Sequence, residues 1–260
     1  MIGFDDRGLL LGDGLFETVL ARAGELVDLD AHLARMAAGC AVLGLPAPDP
    51  AQAQALMRRA ISEAGLGTAR AAVRLTWTAG PGGRGLDRPQ APQPALFATA
   101  AASAVPGAPA RLMISTVARN EGSPASRLKT LAYLDNVLAR RQATLAGADE
   151  AVMLNGRGQV ACAAAANLFW ITDGEVFTPA LACGVLDGIV RRQVMAATAV
   201  REAAAGVEAL AGAQAMFLTN SLIGVREVAS LDGRRFEASA RVAEIAGLFS
   251  SPIHGGGGPA

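Results

Sequence analysis

The sequence predicts an α/β protein of the α+β type, with two domains and much antiparallel sheet, on three observations. Strands and helices mix along the chain without the regular strand–helix–strand rhythm of a doubly wound parallel sheet. Short strand-like runs follow each other closely between Glu150 and Phe177, with turns at Asn155-Gly156 and Asp173-Gly174, which is the spacing of a meander. A stretch rich in proline and small residues, 103–110, separates a smaller N-terminal part (1–102) from a larger C-terminal part (111–253) and reads as a linker.

Each element has a local reason. Leu15 to Asp28 alternates as two strands about a turn at Ala23-Gly24, the pattern of a hairpin. A helix is expected from Ala31 to Leu43, with Asp30 as a cap and Leu33, Met36, Cys40 and Leu43 at three- and four-residue steps. A second runs from Pro50 to Ala64, where Gly65 stops it. Strands are expected at Ala71–Thr78 and Ala95–Ala100, around the glycine-rich loop Ala79–Gly85. The second half opens with a strand at Leu112–Val117, then a helix from Leu131 to Leu145 with Leu134, Val137 and Leu138 on one side. After the meander come a helix at Asp187–Val200, a strand at Ala215–Thr219, and a helix at Val242–Phe249. The glycine-rich tail 254–260 has no apolar anchor and is expected to lack fixed structure.

Composition narrows the function classes. Among 260 residues, Lys plus Arg and Asp plus Glu both number 23, so no summed positive field favours nucleic acid. No apolar run approaches the ~20 residues that cross a bilayer, and the acidic start Met1–Arg7 lacks the basic region of a signal peptide, so a cytoplasmic protein without a membrane span is expected. Cys40, Cys162 and Cys183 are odd in number without metal-ligand spacing, which predicts reduced thiols and no metal site. With His32 and His254 the only histidines, chemistry falls to a lysine or a cofactor.

Lys129 stands at the mouth of an apolar helix in Arg127-Leu-Lys-Thr-Leu-Ala-Tyr133. Taken alone it reads as a solvated surface group; partly buried, it would be a low-pKa amine able to form a Schiff base with an aldehyde cofactor. Further segments decide between these. Arg7-Gly8 through Gly12-Asp13-Gly14 to Phe16-Glu17-Thr18, His32 with Arg35, Lys129 to Leu134, Gly158 and Val160 to Ala166-Asn167-Leu168-Phe169, Thr178-Pro179 through Gly184 and Gly188-Ile189 to Arg191, and Thr219-Asn220-Ser221 follow one another in order. In these six segments the chain resembles the class IV aminotransferases, the pyridoxal-phosphate (PLP) enzymes of fold type IV, which share a D-amino-acid-aminotransferase-like architecture.

The resemblance implies that Lys129 carries PLP and acts as general base. It implies that Arg35, Ser221 and the backbone of Gly188, Ile189 and Val190 meet the phosphate, and that Asn167 lies beside the cofactor. Tyr133 is either a hydrogen-bond partner of the cofactor's phenolic oxygen or packing filler; His32 reads as structural. Two positions depart from the family pattern. Cys162 stands where the family has a glutamate facing the pyridine nitrogen, so the chemistry either needs less of an electron sink or is poor or lost. Val190 stands where a threonine hydroxyl is common. The strand that precedes the first motif in the family is also expected to be absent. Thr78–Leu86, Asn167–Trp170 and Phe217–Leu222 with Val225 resemble 4-amino-4-deoxychorismate lyases more than branched-chain or D-amino-acid transaminases. Arg84 in the glycine-rich loop is either a clamp for a substrate carboxylate or a solvated loop residue. The resemblance also implies a homodimer with active sites near the interface; transamination and an inactive binding protein are the alternative functions.

Overall fold

The computed structural model describes residues 2–105 and 107–249. Among them the elements are, in order, α1 (Arg7–Leu11), β1 (Gly14–Arg22), β2 (Glu25–Leu26), α2 (Leu29–Leu43), α3 (Pro50–Glu63), β3 (Arg70–Thr78), β4 (Ala95–Ala102), β5 (Ala110–Ile114), α4 (Leu134–Leu145), β6 (Glu150–Leu154), β7 (Val160–Ala163), β8 (Asn167–Thr172), β9 (Glu175–Pro179), α5 (Ile189–Ala197), β10 (Val200–Ala203), α6 (Val207–Ala211), β11 (Ala215–Asn220), β12 (Gly224–Leu231), β13 (Arg234–Arg235) and α7 (Ala240–Gly247). The tail 254–260 lies outside the described residues.

Two sheets organise them. The first has the order β2-β1-β3-β4 and is antiparallel throughout. β1 and β3 pair along their full length, from Gly14 opposite Thr78 to Arg22 opposite Arg70. One face of this sheet buries Val19, Ala21, Val73 and Leu75 against Met36 and Cys40 of α2 and Ala53, Met57 and Ile61 of α3. α3 begins as its sequence predicts, with Pro50 in the first turn and the Asp49 carboxylate accepting from the Gln52 amide. The second sheet runs β10-β9-β8-β11-β12-β5-β6-β7, with β13 on β12. The expected meander is split: β6–β7 and β8–β9 pair as antiparallel hairpins, but β7 ends the sheet order and does not pair with β8, because β11, β12, β5 and β6 come between them. β12–β5, β5–β6 and β10–β9 pair in parallel. Phe169, Val190, Val194, Phe217, Val242 and Ile245 form one of its cores, between the sheet and helices α5 and α7.

Several boundaries differ from the sequence reading, each for a tertiary reason. The predicted helix from Leu131 starts at Leu134, because Thr130 forms a bridge with Leu15 and the Leu131 amide donates to the Gly14 carbonyl. α5 stops at Ala197, and Val200–Ala203 pairs with β9 instead of continuing the helix. α1, β12 and β13 lack strong periodicity and were not legible. In α4 the side facing the sheet is Asn136, Ala139 and Ala143, while Leu134, Val137 and Leu138 are exposed.

Candidate active site

A cavity of about 230 Å³ opens between the two sheets, and most of the motif residues meet in it. Phe16 and Thr18 of β1 and Arg35 of α2 contribute from the first sheet's side. Lys129, Tyr133, Cys162, Asn167, Gly188, Ile189 and Ser221 come from the loops and strand ends of the second. Val190, one residue further into α5, packs in the core below and does not line the cavity. Arg84 is exposed and lines a separate concavity with Phe4, Asp5, Arg7, Leu10 and Leu11.

The backbone on either side of Lys129 is fastened to β1: the Phe16 amide donates to the Lys129 carbonyl at 2.9 Å and the Leu131 amide to Gly14 at 3.0 Å. The Lys129 Nζ lies 4.3 Å from the Phe16 ring centroid and 5.4 Å from that of Tyr133. Burial lowers the amine to about 8; Glu17 pulls it back up, and the positive charges of Arg35, Arg74 and Arg119 lower it further. Lys129 is also the only lysine of the chain, the other basic residues counted with it being arginines. That compositional fact was a signal open to the sequence reading.

Two arginines line this space, and a third packs on the lining residue Phe16. The Arg35 guanidinium takes both oxygens of Glu17, at 2.8 and 2.6 Å, and donates to the Asp187 carbonyl at 3.0 Å. Arg119 is buried, bonded to Asn136 Oδ1 at 3.0 Å, to the Gly184 carbonyl at 3.0 Å and to the Ser126 carbonyl, without a carboxylate partner among the described residues. Arg74 of β3 lays its guanidinium over the Phe16 ring at 3.7 Å. Arg74 and Arg119 went unremarked in the sequence, and Glu17 stood in the first motif without a role, because only the folded sheets show what these side chains meet.

His32 is buried, its Nδ1 2.7 Å from Glu17 Oε2 and its Nε2 3.2 Å from Ser221 Oγ. Burial pushes the Glu17 carboxyl up, but the hydrogen bonds from Arg35 and His32 outweigh it and hold it at about 2. Thr219 Oγ1, fully buried on the cavity wall, has no hydrogen-bond partner among the described residues. α5 begins at Ile189 with Gly188 as its cap, so its first amides point outward without helical acceptors. Gly188 is close against Asn167: a Cβ there would fall 2.0 Å from Asn167 Oδ1, which Asn167 Nδ2 anchors by donating to the Leu186 carbonyl at 2.9 Å. Cys162 is buried; desolvation raises its thiol, with Arg119 drawing it down and Glu150 pushing it up. No aspartate or glutamate lines the cavity among the described residues.

Comparison with known proteins gives one family. The chain is 28% identical over 260 residues to a D-alanine aminotransferase of Listeria monocytogenes serotype 4b, covering 89% of this chain and 83% of that protein. It is 28% identical over 236 residues to an aminodeoxychorismate lyase of Vibrio harveyi, covering 87% and 86%. The crystal structure of the Escherichia coli branched-chain amino acid aminotransferase superposes with a TM-score of 0.87 over 96% of this chain and 88% of that one, at 21% identity. The family model for amino-transferase class IV matches residues 14–231, so the chain belongs to the class IV aminotransferases, pyridoxal-phosphate enzymes of fold type IV.

Proposed function

We propose that this protein is a lyase that converts 4-amino-4-deoxychorismate to 4-aminobenzoate and pyruvate, a step of folate biosynthesis. The observation that carries the reading is the cavity's charge: Arg35, Arg119 and Lys129 line it and no carboxylate does among the described residues, while Cys162, which the resemblance sets at the family's glutamate position, is on its wall. A substrate with two carboxylates suits such a space.

The residues fit pyridoxal phosphate. The unpartnered Thr219 hydroxyl, Arg35 and the first amides of α5 make a donor set for a phosphate dianion. Ser221 joins them when its hydrogen is free of His32, and Gly188, Ile189 and Val190 contribute backbone only. Lys129 Nζ is the amine that holds the cofactor, Tyr133 stands beside it, and Asn167 fixes the entry to α5. When bound, the cofactor supplies an electron-accepting ring conjugated to the substrate nitrogen. Lys129, with a pKa of about 8, then removes the substrate ring proton next to that nitrogen as general base. Loss of the enolpyruvyl group makes the substrate ring aromatic, a driving force that transamination lacks. A neutral thiol at Cys162 is therefore better tolerated in this elimination. Arg74, without a carboxylate partner among the described residues, is the nearer candidate for the clamp role that the sequence offered to Arg84.

We further propose a division into two domains at 103–110 and a cytoplasmic homodimer. The dimer reading is supported by the exposed Leu134, Val137 and Leu138 on α4, which begins directly after Tyr133 of the cavity wall. The deciding assay pairs pyruvate release from aminodeoxychorismate with amino transfer to 2-oxoglutarate from branched-chain or D-amino acids. Pyruvate release without transfer supports the lyase; transfer alone replaces it with a transaminase; neither, in PLP-loaded protein, leaves a binding protein.

A further inference from the structure

Glu17 lies behind the cavity wall and does not line it, yet it is bonded to two residues that do so directly or through one link. The Arg35 guanidinium has five N–H donors. Two go to Glu17, at 2.8 and 2.6 Å, and one to the Asp187 carbonyl at 3.0 Å, which leaves two for a ligand. The forked contact with Glu17 fixes the plane of the guanidinium and therefore the direction of the remaining two. The same carboxylate meets His32 Nδ1 at 2.7 Å, and His32 Nε2 lies 3.2 Å from the Ser221 hydroxyl. Arg35 and His32 belong to α2, packed on the first sheet, whereas Ser221 and Asp187 belong to the loops of the second.

We propose that Glu17 is a positioning residue for phosphate recognition: one buried carboxylate sets Arg35 directly and Ser221 through His32, so that donors from both sheets converge on the phosphate. This rests on the reading above that Arg35 and Ser221 face the cofactor's phosphate. Glu17 touches no ligand itself. Held ionised by its two partners, it keeps this geometry at neutral pH, whereas a neutral amide in its place would lose one acceptor oxygen and release the fork. An arginine freed from its fork regains rotamer freedom that the ligand must then remove.

The test compares binding of pyridoxal phosphate with binding of pyridoxal, which lacks the phosphate, to the full-length chain by equilibrium titration of absorbance. Glu17→Gln is expected to raise the Kd for pyridoxal phosphate by about tenfold or more while leaving that for pyridoxal within about threefold, the same selective loss as Arg35→Gln. Equal weakening of both ligands would mean that Glu17 merely stabilises the fold, and would overturn the proposal. A shifted ratio in Arg35→Gln with an unshifted one in Glu17→Gln would also overturn it while leaving the phosphate at Arg35. No shift in either variant would remove both readings. Should Glu17→Gln fail to fold, Glu17→Asp keeps the charge but shortens the reach, and a wild-type ratio in that variant would equally overturn the proposal.

Discussion

Phe16 and Lys129 are joined twice: the Phe16 amide donates to the Lys129 carbonyl at 2.9 Å, and the Lys129 amine lies 4.3 Å from the Phe16 ring centroid. The first contact fixes the lysine's backbone to the first sheet. The second sets its amine against an aromatic face, away from bulk water, although the lysine belongs to the loop that precedes α4 of the second half.

The consequence is a low-pKa amine. Amine-specific labelling of cofactor-free protein at Lys129, followed by peptide mapping, should accelerate with rising pH with its midpoint near 8, because only the unprotonated amine reacts and burial holds the folded-state pKa at about 8. No other side-chain amine competes, Lys129 being the only lysine. Borohydride reduction of PLP-loaded protein should leave the label on the same peptide. A midpoint near 10.5 would identify a solvated lysine.

Cys162 gives the second prediction. With its thiol raised by burial, it is uncharged at neutral pH, and no carboxylate lines the cavity among the described residues. Nitrogen NMR with labelled PLP should therefore show an unprotonated ring nitrogen in the wild type and a protonated one in Cys162→Glu, together with a gain in transaminase side activity. A protonated nitrogen in the wild type, unchanged in the variant, would show that another group tunes the ring.

Gly188→Ala tests the entry to α5. The added methyl would sit 2.0 Å from Asn167 Oδ1, so the anchored amide or the helix start must move. Overpacking of this kind costs about 1–3 kcal/mol. Thermal unfolding should fall accordingly, and PLP should bind more weakly, while Gly67→Ala, where a Cβ meets open space, should match the wild type. Unaltered PLP affinity in Gly188→Ala would remove the α5 start from the phosphate site.

For the dimer, sedimentation of the wild type at micromolar concentration should give a two-chain species, and the pair Leu134→Glu with Val137→Lys should shift it to one chain. Both positions are exposed on α4, so their replacement leaves the core of the single chain intact. A wild-type monomer with full activity would refute the assembly.

The sequence by itself determined the family and most of the lining of the site, because those constraints are local. A helix must begin at Ile189 for its amides to be free, and Gly188 must lack a side chain; each leaves a short motif in order along the chain. It also determined the amphipathic helices α2 and α3, whose buried residues recur with the helical period. Tertiary structure alone decided the parallel pairing of β12, β5 and β6, which joins strands far apart in sequence and has no turn signal. It decided that the apolar stripe of α4 faces outward, since periodicity reveals a stripe but not what covers it. It brought Arg119 to the cavity wall, with Glu17 and Arg74 beside the lining residues Arg35 and Phe16, because the position of a buried charged side chain is set by the partners that compensate its desolvation, and those partners come from elements remote in the chain; the exposed Arg84 lines a separate concavity.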